Sequence, residues 1–507
     1  MLLIAVVWVF PLSGEAASNW AHIKAYLLSD YMHGTLKVVI GVAILSGIIG
    51  IGSAWIVSNY EFQGRRLIDA LLILPLAMPA YILAMSYGSL LEFAGPIQTT
   101  IRDALDLSKG DYWFPAIRST GGAIFVMSLA SYPYIYMLAR GAFASQPAEW
   151  YNTGRSVGYS ESKLFFKVGI PAARPFLVVG LALVIMEASA DIGTVQLFGV
   201  PTMATGIYRT WYYFDEPILA ARLASILLII SGILLMLERF GRRKARFSTV
   251  SSDPVDRRPL IGGNKLWLLL FGIIPIVLGF FLPLFWTARL ALFANHSVDL
   301  VKLLATIIDT LWIAAIGAIL VVVVAFVFAL SARFHKSFGH MQLAATLGYA
   351  MPGVVIAVAL LFIQGFAREY FGLKLLMTGS ILGLLYAYLI RFLSPAFGTI
   401  QSGYERIPAE FDMVSETFGK SKLQQVFSVH LPMLKRPMLI AVLLVVIDIF
   451  KELPATLILR PFDLRTLAMA VYEYAGDDRP SDAAPYALAL AGISLLLVLI
   501  LTKLQEK

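Results

Sequence analysis

The sequence predicts an all-α polytopic membrane protein of about 12 transmembrane helices, built as two parallel six-helix repeats. Three observations carry that expectation. First, 59% of the 507 residues are hydrophobic and only 14% charged, with a mean hydropathy of +0.78. Soluble chains carry about 25% charged residues, so a soluble protein this long would leave too much apolar surface in water. Second, apolar runs recur along the whole chain at the roughly 20-residue length of a membrane crossing. Third, a stretch of the first half returns in the second at a fixed offset of 261 residues.

The runs follow in order. Met1 to Pro11 is apolar but only about half a crossing long. No basic segment precedes it and no small-residue cleavage site follows closely, so it reads as a shortened first span rather than a signal peptide. Longer runs then lie at 34–58, 67–93, 117–139, 176–200 and 218–237. A second set lies at 266–288, 304–330, 341–366, 379–397, 438–460 and 485–502. With residue 1 inside, 25 of the 40 Lys and Arg fall in inner loops, which favours both termini in the cytoplasm. The outer 460–485 segment carries Asp463, Glu473, Asp477, Asp478 and Asp482. Basic inner loops account for the net charge of +8, so lipid rather than nucleic acid is the expected partner. The absence of Cys excludes disulfide scaffolds, zinc ribbons, Fe–S clusters and cysteine nucleophiles.

The duplication is read residue by residue. Pro147-Ala148-Glu149 recurs as Pro408-Ala409-Glu410. At the same offset Gly158 matches Gly419, Ser160 matches Ser421 and Pro171 matches Pro432, while Glu187 falls on Asp448 and Asp191 on Glu452. Thr35-Leu36 and Thr310-Leu311 open corresponding spans, and Met78-Pro79 pairs with Met351-Pro352. The expected division is a first repeat over 1–240, a basic cytoplasmic linker over 241–264 and a second repeat over 265–507. The linker carries Arg242, Arg243, Lys244 and Arg246 before Ser251-Ser252-Asp253-Pro254.

In each half a long inner loop separates the fourth and fifth spans, longer than a helix connection needs. Its spacing predicts a short helix from Glu149 or Glu410, a glycine turn at Gly158 or Gly419, and a second amphipathic helix stopped by Pro171 or Pro432. Leu164, Phe165 and Val168 share one face of that second helix, as do Leu423, Val426 and Phe427. Both halves keep a thirteen-residue spacing from glycine to proline, which a passive interfacial helix does not require. Such an elbow is suited to docking.

Gly158 to Pro171 and Gly419 to Pro432 resemble the EAA loop of permeases in binding-protein-dependent ABC importers. The Glu-Ala-Ala opening differs, since Asn152-Thr153-Gly154 and Met413-Val414-Ser415 stand there. The resemblance implies that the short helix of each loop inserts into a cytoplasmic ABC ATPase subunit. It also implies two ATPase copies, a periplasmic or tethered solute-binding protein, and location in the cell inner membrane. No cofactor is expected on this chain; ATP is expected to be used by the partner subunits. Asp191-Ile-Gly-Thr-Val-Gln-Leu-Phe-Gly199, Lys451-Glu-Leu-Pro-Ala-Thr-Leu-Ile-Leu-Arg-Pro461 and Tyr472-Glu-Tyr-Ala-Gly-Asp-Asp-Arg479 resemble segments of ferric-iron permeases. The wider family also carries thiamine, polyamines, phosphonates and sulfate, so these cargoes remain alternatives.

Ionisable groups inside spans are functional candidates because each is costly unless paired or hydrated. Glu187 and Asp191 stand four apart on one helix face, and Asp448 and Glu452 repeat them. Four acids could line an aqueous path and offer oxygen ligands to a hard cation. Alternatively they bond backbone, Ser or Thr groups at broken helix ends near Gly193 and Pro454, or Glu452 pairs with Lys451. Pro75, Pro79 and Pro352 are expected as kinks. The six His residues show no ligand spacing, and His335 with His340 reads as a charged loop. Gly419-Lys420-Ser421 lacks the first P-loop glycine and a preceding strand, and neither HExxH nor G-x-S-x-G is present, so no enzyme activity is expected. A proton-coupled secondary transporter would share the twelve spans and two halves, but does not call for the paired loops.

Overall fold

The computed structural model describes residues 7–9, 11–108, 110–214, 216–243, 257–260, 265–293, 299–334, 348, 351–373, 377–408 and 410–506. Among them the chain is helical, apart from Tyr60–Glu61 lying parallel to Arg258–Pro259. Eight described helices are long and apolar enough to cross a membrane, or nine if one bent pair counts as a crossing. Most of Met1 to Pro11, most of the linker 241–264, the start of the run 341–366, and His335 with His340 lie outside the described residues. The chain divides into two compact units, 1–297 with 471–488 and 298–470 with 489–507.

The first unit is organised around Leu28–Asn59, whose 32 residues reach about 48 Å at 1.5 Å per residue. That exceeds the roughly 30 Å of bilayer hydrocarbon. Its buried face is mostly small, with Gly34, Ser46, Gly47, Gly50, Ser53 and Ala54. Small residues let helix backbones approach closely in a membrane. Here Ser46 donates to the Ser128 carbonyl at 3.3 Å, against Thr120–Ala144. At the other end, Trp55 stacks edge-on against Phe143 in a core with Tyr132, Tyr136, Tyr151 and Leu164. The apolar segment Lys265–Leu292 also belongs to this unit. Ser53 donates to the Phe271 carbonyl (2.6 Å), Tyr87 to that of Leu278 (2.7 Å), and the Ser86 and Thr287 hydroxyls meet at 2.8 Å.

The second unit is organised around Leu300–Phe334, Ile381–Tyr404 and Leu431–Lys451, the counterparts of Leu28–Asn59, Thr120–Ala144 and Ile170–Ala190. The repeat extends to single hydrogen bonds. Thr35 donates to the Tyr31 carbonyl and accepts from the Met203 amide, while Thr310 does the same with Thr306 and Leu467. Ser119 caps Thr120–Ala144 through Gly122, and Ser380, 261 residues on, caps Ile381–Tyr404 through Gly383.

Proline behaves differently from expectation. Pro75 lies in the short turn Leu74–Ala77 and Pro79 caps Ala80–Leu91, so Arg65–Ala77 and Ala80–Leu105 meet at 90°. This is a break rather than a kink: Met78, preceding Pro79, is driven to extended backbone at φ −118°, ψ 104°. Pro352 likewise caps Gly353–Phe371. Pro171 and Pro432 do not stop their helices. A wide π turn precedes each, Phe165–Gly169 and Val426–His430, and the helices continue as Ile170–Ala190 and Leu431–Lys451. The Ile170 amide reaches back five residues to the Phe165 carbonyl, and the widened turn accommodates a proline at the next position. The runs read as 176–200 and 438–460 accordingly break at Asp191 and Glu452.

Candidate functional site: two elbows and two capped carboxylates

Each elbow starts with a short helix, Ala148–Ser156 or Glu410–Thr417, that exposes Glu149 or Glu410. The chain then reverses through Gly158 (φ +84°) or Gly419 (φ +72°), left-handed backbone that costs a side-chain-bearing residue about 1–2 kcal/mol. Hydrogen bonds close the turn identically. Gly158 donates to Arg155 and Tyr159 to Gly154; Gly419 donates to Glu416 and Lys420 to Ser415. Ser160 and Ser421 then cap the next helix through Lys163 and Gln424. The helix–glycine–helix spacing read from the sequence is present in both halves.

The elbows leave large apolar side chains in the open. Val157 is 70% exposed and Phe166 65%; Phe418 reaches 79%, with Phe411, Val414, Leu423 and Phe427 also exposed. In the first elbow Leu164, Phe165 and Val168 share one face as expected, and that face turns inward. In the second, only Val426 of the expected trio faces inward; Leu423 and Phe427 point out, and Gln425 and His430 take the buried positions. The buried face is the same in both elbows, since Gln425, Val426, Val429 and His430 stand 261 residues after Leu164, Phe165, Val168 and Gly169; the expected second trio lies at a different phase from the first.

The interiors of the elbows differ in chemistry. In the first, Tyr151 packs on Trp55 at 5.7 Å and donates to Gln146, which in turn donates to the Gly169 carbonyl at 3.1 Å. A Cβ on Gly154 would lie 2.5 Å from Leu164, and one on Gly169 would lie 2.7 Å from Trp55, so both glycines admit bulky neighbours. Glu161, near the turn, is gripped by Arg155 at 3.2 Å and Arg258 at 3.6 Å. In the second, the positions of Phe143, Tyr151, Gly154, Leu164 and Gly169 hold Tyr404, Asp412, Ser415, Gln425 and His430. There Arg333 Nε donates to Asp412 Oδ2 at 2.9 Å, and Arg333 also donates to the Pro408 carbonyl.

The membrane acids sit at helix breaks. Asp191 follows Ala190 in extended backbone and its carboxylate accepts from the Thr194 and Val195 amides and the Thr194 hydroxyl, at 2.9–3.3 Å. Glu452 follows Lys451 in the same way. It accepts from the Ala455 amide at 2.9 Å, the Thr456 amide at 3.0 Å and the Thr456 hydroxyl at 2.5 Å. Glu187 remains on the helix and is exposed, and Asp448 is half-buried. Among the described residues, no group of three or more His, Cys, Asp or Glu is placed to hold a metal ion.

Sequence reading missed Arg391. It lies inside the apolar run 379–397, within Ile381–Tyr404, 3.6 Å from Glu452. Gly353 makes room for this pair, since a Cβ there would lie 2.4 Å from Arg391 Nη1 and 2.7 Å from Glu452 Oε1. An arginine inside an apolar helix was the available signal.

Duplicated helical units, apolar spans and matched elbows define a multi-pass membrane protein built as an internal repeat. Residues 2–244 and 339–506 match the family described as binding-protein-dependent transport system inner membrane component, and the chain belongs to that family. It is 23% identical to the Fe(3+)-transport system permease protein of Haemophilus influenzae over 95% of this chain and 91% of that protein. A thiamine transport system permease protein of Brucella suis is 25% identical over 87% of this chain and 81% of its own length. The sulfate transport system permease protein of Escherichia coli is 26% identical, covering 48% of this chain and 91% of its own length.

Proposed function

We propose that the chain is the two-repeat transmembrane permease of an ABC importer for ferric iron delivered by a periplasmic or tethered binding protein. Twelve spans, both termini in the cytoplasm and repeats over 1–240 and 265–507 complete this reading. Two cytoplasmic ATPase subunits seat on the elbows around Gly158 and Gly419, hydrolyse ATP and rock the halves between inward-open and outward-open states. The chain itself holds no cofactor and catalyses no reaction. Glu187, Asp191, Asp448 and Glu452 border the cargo path, with Asp191 and Glu452 also fixing the helix breaks within it.

One observation carries the mechanism: two elbows of the same backbone design expose large apolar side chains at a constant offset, in a family of binding-protein-dependent permeases. Water-exposed patches of this kind mark docking surfaces. Iron is favoured by the ferric relative that spans nearly the whole chain and by the resemblances around Asp191, Lys451 and Tyr472. Thiamine is the second reading, because that relative also spans both repeats. The seats are tested by V157E with F418E. The double variant should reach the membrane in normal amount yet fail to retain the ATPase on purification; full retention would remove the elbows from the interface.

A further inference from the structure

His430 is fully buried and sits where the first elbow has Gly169. Its ring fills a socket formed by Tyr404 (centroids 5.4 Å apart) and Phe334 (5.6 Å). Nδ1 lies 3.2 Å from the Tyr404 hydroxyl. Nε2 lies 3.1 Å from Asp412 Oδ1, off the line of the ring N–H, so both atoms lack a well-aligned hydrogen bond. Asp412 is held from its other side by Arg333. Among the described residues, the charged and titratable groups facing the ring are Arg333 from Leu300–Phe334, Tyr404 from Ile381–Tyr404 and Asp412 from Glu410–Thr417. Lys422, on the ring's own helix, lies over Phe334 at 5.3 Å.

We infer that His430 is a proton-responsive positioning residue: neutral, it seats the second elbow through Tyr404 and Asp412, and on protonation it releases that elbow while the first stays seated. This rests on the elbows being ATPase seats only for its consequence, a drop in coupling in acid; the release itself is a property of this chain. With the proton on Nε2, the neutral ring presents Nδ1 as acceptor to the Tyr404 O–H. A second proton removes that acceptor and buries a cation; Asp412 attracts it, but Asp412 is already paired with Arg333, whose charge repels it. A solvated imidazolium escapes both penalties, so acid favours the unseated elbow. No such response is built into the first elbow, where Tyr151, Gly154, Leu164 and Gly169 occupy the matching positions.

The chain has no Cys, so single labels can be placed cleanly. F418C on the second elbow and V157C on the first would each carry a nitroxide, in the full chain reconstituted in lipid nanodiscs without ATPase or cargo. Between about pH 7.5 and about pH 5.5, which brackets the ordinary histidine range, the label at 418 should gain mobility about twofold or more and the label at 157 should not. H430Q should abolish the response. Should H430Q fail to fold, Y404F, which keeps the imidazole and removes its hydroxyl donor, should move the transition to higher pH. Equal responses at both labels, no response at 418, a response that survives H430Q, or a Y404F transition that does not move would each overturn the inference. Loss of ATPase binding in V157E with F418E tests the seats separately, so the two failures are distinguishable.

Discussion

At the residue scale, the buried carboxylate of Glu452 is fixed by what it accepts. Glu452→Ala strips partners from the Ala455 and Thr456 amides and leaves Arg391 beside no carboxylate, so it should destabilise the protein by about 3 kcal/mol. The readout is a lower thermal midpoint in detergent; an unchanged midpoint would show that the cap contributes nothing. Gly353→Ala pushes a Cβ against both Arg391 and Glu452. That overpacking should cost about 1–3 kcal/mol, and less in an R391A background, where one of the two clashing groups is gone. Equal costs in the two backgrounds would contradict the close approach. The paired acids were legible in sequence because they repeat at the 261-residue offset. The pairing of Arg391 was not, because its partner lies 61 positions away.

At the element scale, the elbow's turn was legible and its continuation was not. Gly158 and Gly419 announce left-handed backbone by their identity and spacing, and both adopt it. Pro171 and Pro432 suggested helix ends, but the π turns before them depend on backbone packing that no local pattern encodes. Replacing both glycines by Val should impose about 1–2 kcal/mol of strain at each turn and lower transport per ATP hydrolysed. Unchanged uptake in G158V with G419V would remove the turn from coupling. The second elbow should also depend on pH. Burial pushes the His430 imidazole below its ordinary value; Asp412 opposes that shift and Arg333 adds to it. The native elbow therefore binds the proton less tightly than the unfolded chain. Its contribution to stability is complete above the ordinary histidine value of about 6.5 and is lost as pH falls from there through the lowered one. The protection factors of the amides at 410–430, which remove the intrinsic pH dependence of exchange, should fall over that window in the wild type and stay flat in H430Q.

At the scale of the whole molecule, duplication explains why so much could be read from one chain. Two copies of one design expose their shared constraints: the Thr35 and Thr310 bridges, the Ser119 and Ser380 caps, and the elbow glycines all recur. What the copies do not share is harder to see. The aromatic interior of the first elbow and the Asp412–His430 interior of the second lie under matching sequence positions, but their meaning depends on Trp55 and Arg333 arriving from distant helices. Family membership leaves the cargo to be decided by experiment. Radiolabelled ferric-iron uptake in iron-starved cells lacking other importers, with and without this chain and with unlabelled thiamine or polyamine as competitors, decides whether iron is the cargo. Uptake should depend on ATP, vanish on deletion, return on complementation and ignore the competitors. Uptake that persists without the chain would contradict the assignment to iron, and uptake driven by a proton gradient without ATP would contradict the importer mechanism itself.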